Sequence, residues 1–153
     1  MEFRLLRADE IDVRISIVKD WGIGLLLYKD ARCDQNILDE TVGAGNWQNR
    51  FYEYKGILFC SLGINTNYNI PDAPDRWVWK DDAGVESNTE AEKGLASDSF
   101  KRACFNWGLG RELYTAPFIW IPNAQKNDRF DVAYIAIDQK RIVALKLRNA
   151  KTK

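Results

Sequence analysis

Four acids, Asp81, Asp82, Glu86 and Glu90, fall in one short stretch of the chain. Carboxylates grouped in this way can hold Mg²⁺ for nuclease chemistry. The plainer alternative is a solvated acidic turn that runs into a helix start. Histidine is absent from all 153 residues. That removes the commonest general base, the Ser-His and Cys-His nucleophile systems, and most zinc sites. The three cysteines, Cys33, Cys60 and Cys104, are far apart and form no CxxC pair. They read as reduced, buried thiols. No Gly-x-x-x-x-Gly-Lys-Ser/Thr phosphate loop is present, so ATP-driven chemistry is not expected. The residues therefore point to no catalytic constellation, no metal and no cofactor, and non-covalent binding is the expectation.

The residues suited to binding lie further on, at Ser97, Lys101, Arg102 and Phe105. A helix from about Thr89 to Trp107 carries them. Asn88 or Thr89 can cap its start, Glu90 and Glu92 suit the positive end of its dipole, and Gly108 and Gly110 end it. On a wheel of about 100° per residue, Ala96, Phe100, Ala103, Cys104 and Trp107 form one apolar stripe that should face a core. Asp98, Lys101, Arg102 and Phe105 fall on the other side, which should be exposed. A ring between two cations suits an unpaired nucleic-acid strand, because cations follow phosphates and a ring stacks on bases. The same pattern also fits a solvated helix face with Phe105 packed against a second subunit. Asp98 is placed to pair with Arg102 across one turn.

Other elements must position that helix. Ile11, Val13, Ile15 and Ile17 alternate with polar residues, which is strand period. Gly22-Ile23-Gly24 interrupts, and the apolar run Leu25–Tyr28 follows, so the chain opens on two strands, with a helix over Asp9–Val18 as the alternative. Asp30–Val42 reads as a helix with Ala31, Asp34, Ile37, Leu38 and Thr41 on one face and Gly43 as its C-terminal glycine. Asn46–Tyr54 and Gly56–Ile64 read as strands split by the Lys55-Gly56 turn. Arg76–Lys80 is a third strand, ended by Asp81-Asp82-Ala83-Gly84. The Asn-, Asp- and Pro-rich stretch Asn65–Asp75 is a long surface turn. Phe118–Pro122 is a short extended segment. Phe130–Ile137 and Arg141–Leu147 form a last hairpin around Asp138-Gln139-Lys140. The expected fold is α+β: an antiparallel β-meander packed on a long helix, with a short helix and a C-terminal hairpin.

Apolar residues at 46% and charged residues at 29% suit a folded chain, and the length suits a single domain over residues 1–153. No apolar run approaches the roughly 20 residues of a membrane helix, and no secretory leader is evident at the start. A soluble cytoplasmic protein with no membrane contact is the expectation. Lys and Arg number 22 and so do Asp and Glu, so charge distribution, not net charge, must attract any polyanion. From Lys140 to Lys153 the chain carries basic residues and no acid.

Three stretches then stand out for their order and spacing. These are Trp79-Lys80-Asp81-Asp82-Ala83-Gly84, then Glu92 to Ala103 with its Gly94-Leu95-Ala96-Ser97-Asp98-Ser99 centre, then Trp107-Gly108-Leu109-Gly110-Arg111-Glu112-Leu113-Tyr114. Together they resemble the central signature of the Rad-fifty-two superfamily of single-strand annealing proteins, in its phage Sak-type and bacterial DdrA-like branch. Tyr28–Arg32, Asn46-Trp47-Gln48 and Asp9–Arg14 resemble the family's upstream elements, so the likeness spans about residues 9–114. The resemblance implies binding of single-stranded DNA and ATP-independent annealing of complementary strands in recombination and repair. It implies a homo-oligomeric ring or filament, with a phage exonuclease or a single-strand-binding protein as further partners. Ser97, Lys101 and Arg102 match the family's strand-binding positions, and Arg32 matches the arginine of its first-helix motif. Eukaryotic members carry a further arginine where this chain has Phe105, and Lys80, Lys93, Arg111 or the Lys140–Lys153 segment can compensate. A metal-dependent nuclease using Asp81, Asp82 and Glu86, and a module that binds another recombination protein, are the rival expectations.

Overall fold

Glycine seats and left-handed turns set the strand plan. In the computed structural model, which describes residues 1–85, 91–125 and 128–149 (91–93 by backbone alone), β1 (Asp12–Lys19) and β2 (Gly22–Tyr28) form an antiparallel hairpin. Gly22 and Gly24 do not interrupt the second strand; they belong to it. A Cβ on Gly22 would lie 2.7 Å from the Trp120 ring, and one on Gly24 would lie 2.4 Å from the Phe118 ring. Those rings come with β6 (Ile119–Pro122), which pairs with β2 to make a three-stranded sheet in the order β1-β2-β6.

The second sheet is a meander of β3 (Trp47–Tyr54), β4 (Ile57–Asn65) and β5 (Trp77–Ala83), in that order. Lys55 and Gly56 turn between β3 and β4 with φ of 53° and 76°, the left-handed pair that a two-residue hairpin loop needs. The strand β5 runs three residues beyond the expected end at Lys80. Asp81, Asp82 and Ala83 pair with Ser61, Cys60 and Phe59. The acids are tolerated there because each has a donor: the Tyr52 hydroxyl lies 2.6 Å from Asp81 and the Asn106 amide 3.2 Å from Asp82.

Helix α1 (Ala31–Val42) buries Cys33, Asp34, Ile37, Leu38 and Val42, close to the stripe read from sequence. Helix α2 (Ala91–Asn106) has 16 residues and packs on β4 and β5. The expected caps Asn88 and Thr89 lie outside the described residues. Phe100, Ala103 and Cys104 of its apolar stripe are buried and Trp107 is half-buried. The last strands, β7 (Phe130–Asp138) and β8 (Arg141–Asn149), pair as a hairpin, with Gln139 and Lys140 turning at φ of 49° and 61°.

The fold is thus mixed α+β with antiparallel sheets. The chain divides into two units. The first holds residues 1–4 and 31–109, with α1, the meander and α2; the second holds residues 5–30 and 110–153, with the other five strands. In the first, Ile37, Leu38, Cys60, Leu62, Ile64 and Cys104 are sealed from solvent. In the second, Ile23 and Leu25 form the sealed centre, and the buried Glu112 carboxylate accepts the Leu6 amide at 3.1 Å. Among the described residues no helix is long and apolar enough to cross a membrane.

Candidate nucleic-acid interface

The end of α2 is tied to the meander by side chains from both. The Trp107 indole N–H donates to the Leu62 carbonyl at 3.0 Å, and the Asn106 amide donates to the Asp81 carbonyl at 3.0 Å. The Lys80 ammonium sits 4.9 Å from the centre of the Trp107 ring and donates to the Asn106 carbonyl at 3.3 Å. Lys80 stays exposed. Strand β5 and the end of α2, at Asn106 and Trp107, are therefore joined in space though far apart in the chain.

The side of α2 away from the stripe is not as open as the wheel implied. Asp98, Lys101, Arg102 and Phe105 are all half-buried. The reason near Asp98 is the turn after β5. The Val85 amide donates to Asp98 at 2.7 Å, and Gly84 approaches so closely that a Cβ there would lie 2.5 Å from the Leu95 carbonyl. Asp98 also accepts from the Arg102 guanidinium at 3.0 Å, the expected one-turn pair. Ser97 is half-buried, while its neighbour Ser99 is sealed and donates to the Ala96 carbonyl at 2.9 Å.

Arg32 is exposed on α1, which packs on α2. The first unit thus holds Arg32, Lys80, Ser97, Lys101, Arg102 and Phe105, whereas Arg111 is exposed in the second, at the start of a short 3-10 turn. The side chain of Lys93 lies outside the described residues. In the Lys140–Lys153 segment, Lys146 lies 5.6 Å from the centre of the Tyr134 ring and Arg148 pairs with Asp131 at 3.0 Å; positions 150–153 lie outside the described residues.

The acidic stretch is split by the strand. Asp81 and Asp82 are neighbours on β5 and so project to opposite faces of the sheet. Glu86 and Glu90 lie outside the described residues. Among the described residues no group of three or more Cys, Asp or Glu side chains is placed to hold a metal ion. Cys33, Cys60 and Cys104 are buried free thiols. Burial, reinforced by the Asp81 charge, pushes the Cys60 thiol up to about 12.

One surface escaped the sequence reading. Register places Arg50, Tyr52, Phe59 and Trp79 on the face of the meander opposite to buried Cys60, Leu62 and Ile64. The Arg50 guanidinium lies 4.3 Å from the centre of the Trp79 ring. Tyr52 and Phe59, directly opposed across β3 and β4, stack at 5.3 Å with planes 7° apart. The hydrogen bond to Asp81, a little burial and the charge of that acid together raise the Tyr52 phenol above its ordinary range. The signal for this face was present as alternation: Arg50, Tyr52 and Tyr54 on one strand, Trp77 and Trp79 on another. It becomes visible only once the strands are set in register. Comparison with protein-family models, with curated proteins and with solved structures gives no match.

Proposed function

We propose that this chain binds single-stranded DNA and promotes the annealing of complementary strands without ATP, acting as a homo-oligomer in the cytoplasm. The observation that carries the reading is the seating of α2. The helix bearing Lys101 and Arg102 lies on an antiparallel meander, with those two cations on the side away from its buried stripe. Two of the stretches that resemble the annealing-protein signature meet in that seating, through Lys80 and Trp107.

The mechanism needs only binding. Base pairing is downhill, and the obstacle is the mutual repulsion and self-folding of the strands. Cations that neutralise phosphates and hold one strand extended let a second strand test its register. A ring or filament repeats that hold along the strand, and an exonuclease that exposes unpaired ends would supply the substrate.

The test is anisotropy of a labelled oligo-dT across a salt series, with wild type and Lys101→Ala/Arg102→Ala. Each phosphate contact to a single strand contributes a slope of about −0.7 in log affinity against log salt, so loss of two contacts flattens the slope by about 1.4. Annealing of two complementary oligonucleotides, without nucleotide or metal, should slow in parallel. Wild type that fails to bind even at low salt overturns the proposal. Oligonucleotide shortened in the presence of Mg²⁺, and spared by Asp82→Ala, supports the nuclease instead.

A further inference from the structure

We propose that the face of the β3–β4–β5 meander opposite α2 is a base-stacking surface for an unpaired nucleic-acid strand. The ligand class rests on the function proposed above; the site is a different one, on the opposite face of the sheet from α2.

Gly63 is the seat of the Trp79 ring. A Cβ built there would lie 2.7 Å from each of Cδ2, Cε2 and Cε3 of Trp79. Equal distances to three fused ring atoms mean that the indole lies face-down on the strand. The Gly63 backbone fills the inner side of the ring, so the guanidinium of exposed Arg50 takes the outer side. A guanidinium stacked in this way would offer a further plane with hydrogen-bond donors at its rim. Trp77 continues the row, its ring 6.3 Å from that of Trp79.

Beside this stack lies a second one. Tyr52 rests on Phe59 and remains 42% exposed. Its hydroxyl is fixed to Asp81 at 2.6 Å, which orients the ring and engages an acid that shares this face. At the hairpin tip, Lys55 reaches to 5.4 Å from the centre of the Tyr54 ring, and Tyr54 is 59% exposed.

These parts suit bases better than another protein surface. Bases stack on aromatic rings and on guanidinium planes, and Arg50 and Lys55 provide charge for the phosphates between them. Alternate side chains along a strand are about 6.6 Å apart. That is about twice the ~3.4 Å rise of stacked nucleotides, so a strand drawn out to double its stacked length meets one row per base. A stable subunit interface, by contrast, sheds charge from its centre, whereas here Arg50 and Asp81 lie in the same cross-strand row as Ser61.

The experiment compares oligo-dT with an abasic phosphodiester of equal length at one low salt concentration. Wild type should prefer the base-bearing probe, and its tryptophan fluorescence should be quenched by that probe. The exposed-site variant Arg50→Ala/Tyr52→Leu, checked for fold by circular dichroism and for assembly by sedimentation, should lose the preference by about tenfold or more. Its affinity for the abasic probe should fall only by the one phosphate contact that Arg50 supplies, much less than the loss seen with oligo-dT. A variant that keeps the full preference, or wild type that binds both probes equally, overturns this site while leaving the proposed function standing. Wild type that binds neither probe overturns both. A variant that falls from oligomer to monomer makes this face a subunit interface and overturns the stacking site.

Discussion

Gly63→Ala places two effects of opposite sign in direct competition. Gly63 lies in the interior of β4, where alanine should gain about 0.5–1 kcal/mol by restricting the unfolded chain. Against that, the new methyl would meet three ring atoms of Trp79 at 2.7 Å, whereas carbon atoms pack best at about 3.5–4.0 Å. The ring must retreat by roughly 1 Å, and it is held on its outer side by Arg50. Overpacking of this kind costs about 1–3 kcal/mol. The packing effect wins, for a net loss of about 1–2 kcal/mol and a urea midpoint lower by roughly 0.5–1 M. Urea denaturation followed by tryptophan fluorescence reads it directly. The same substitution made together with Trp79→Leu should cost nothing further or should stabilise, because the clash has gone. Gly63→Ala that stabilises the otherwise unchanged chain would show that the indole does not lie on Gly63, and the stacking surface would lose its base.

Asn65→Ala should destabilise by about 2–4 kcal/mol in the same assay, because this nearly sealed side chain joins the ends of a long turn. Its amide donates to Asn46 and Asp75 at 3.1 Å each, and its carbonyl accepts the Asn67 and Arg76 amides at 3.2 and 2.9 Å. A loss below about 1 kcal/mol would mean that the turn is held by other means. The native chain should react negligibly with a thiol reagent at pH 8 and yield three equivalents in denaturant, since all three cysteines are buried. The raised Cys60 value adds a pH dependence of known sign. Stability from the neutral buried thiol is fully present below its ordinary value of 9.0 and is lost as pH rises toward about 12. Cys60→Ala should therefore flatten the alkaline fall in stability, and an unchanged slope would count against the buried thiol as its source.

Local signals carried the elements whose ends are locally determined. The end of α1 followed from Gly43 and the β3–β4 turn from Lys55-Gly56, where a glycine marks the left-handed backbone, and the last hairpin followed from Asp138-Gln139-Lys140 between two β-prone runs. Signals failed where tertiary partners overrule composition. Asp81 and Asp82 look like a strand stop until Tyr52 and Asn106 arrive to satisfy them. Gly22 and Gly24 look like a break until Trp120 and Phe118 lie down on them. The α2 stripe was legible from its period, but the partial cover over its far side was not, because the Val85–Asp98 contact depends on where a turn crosses. The aromatic face of the meander needed the register of three strands before its residues became neighbours.

The chain passes between its two units at 4/5, 30/31 and 109/110, and this interleaving orders events during synthesis. Residues 31–109 emerge as one continuous stretch, so α1, the meander and α2 can come together while the rest is still being translated. Strand β2 is made early yet pairs with β6, whose Pro122 meets Gly22. Closing so long a loop costs entropy before any pairing repays it, and distant pairings form slowly. Until Ile119–Pro122 leaves the ribosome, one edge of β2 has no strand to join, so this strand, though hairpinned early with β1, is among the last to complete its pairing.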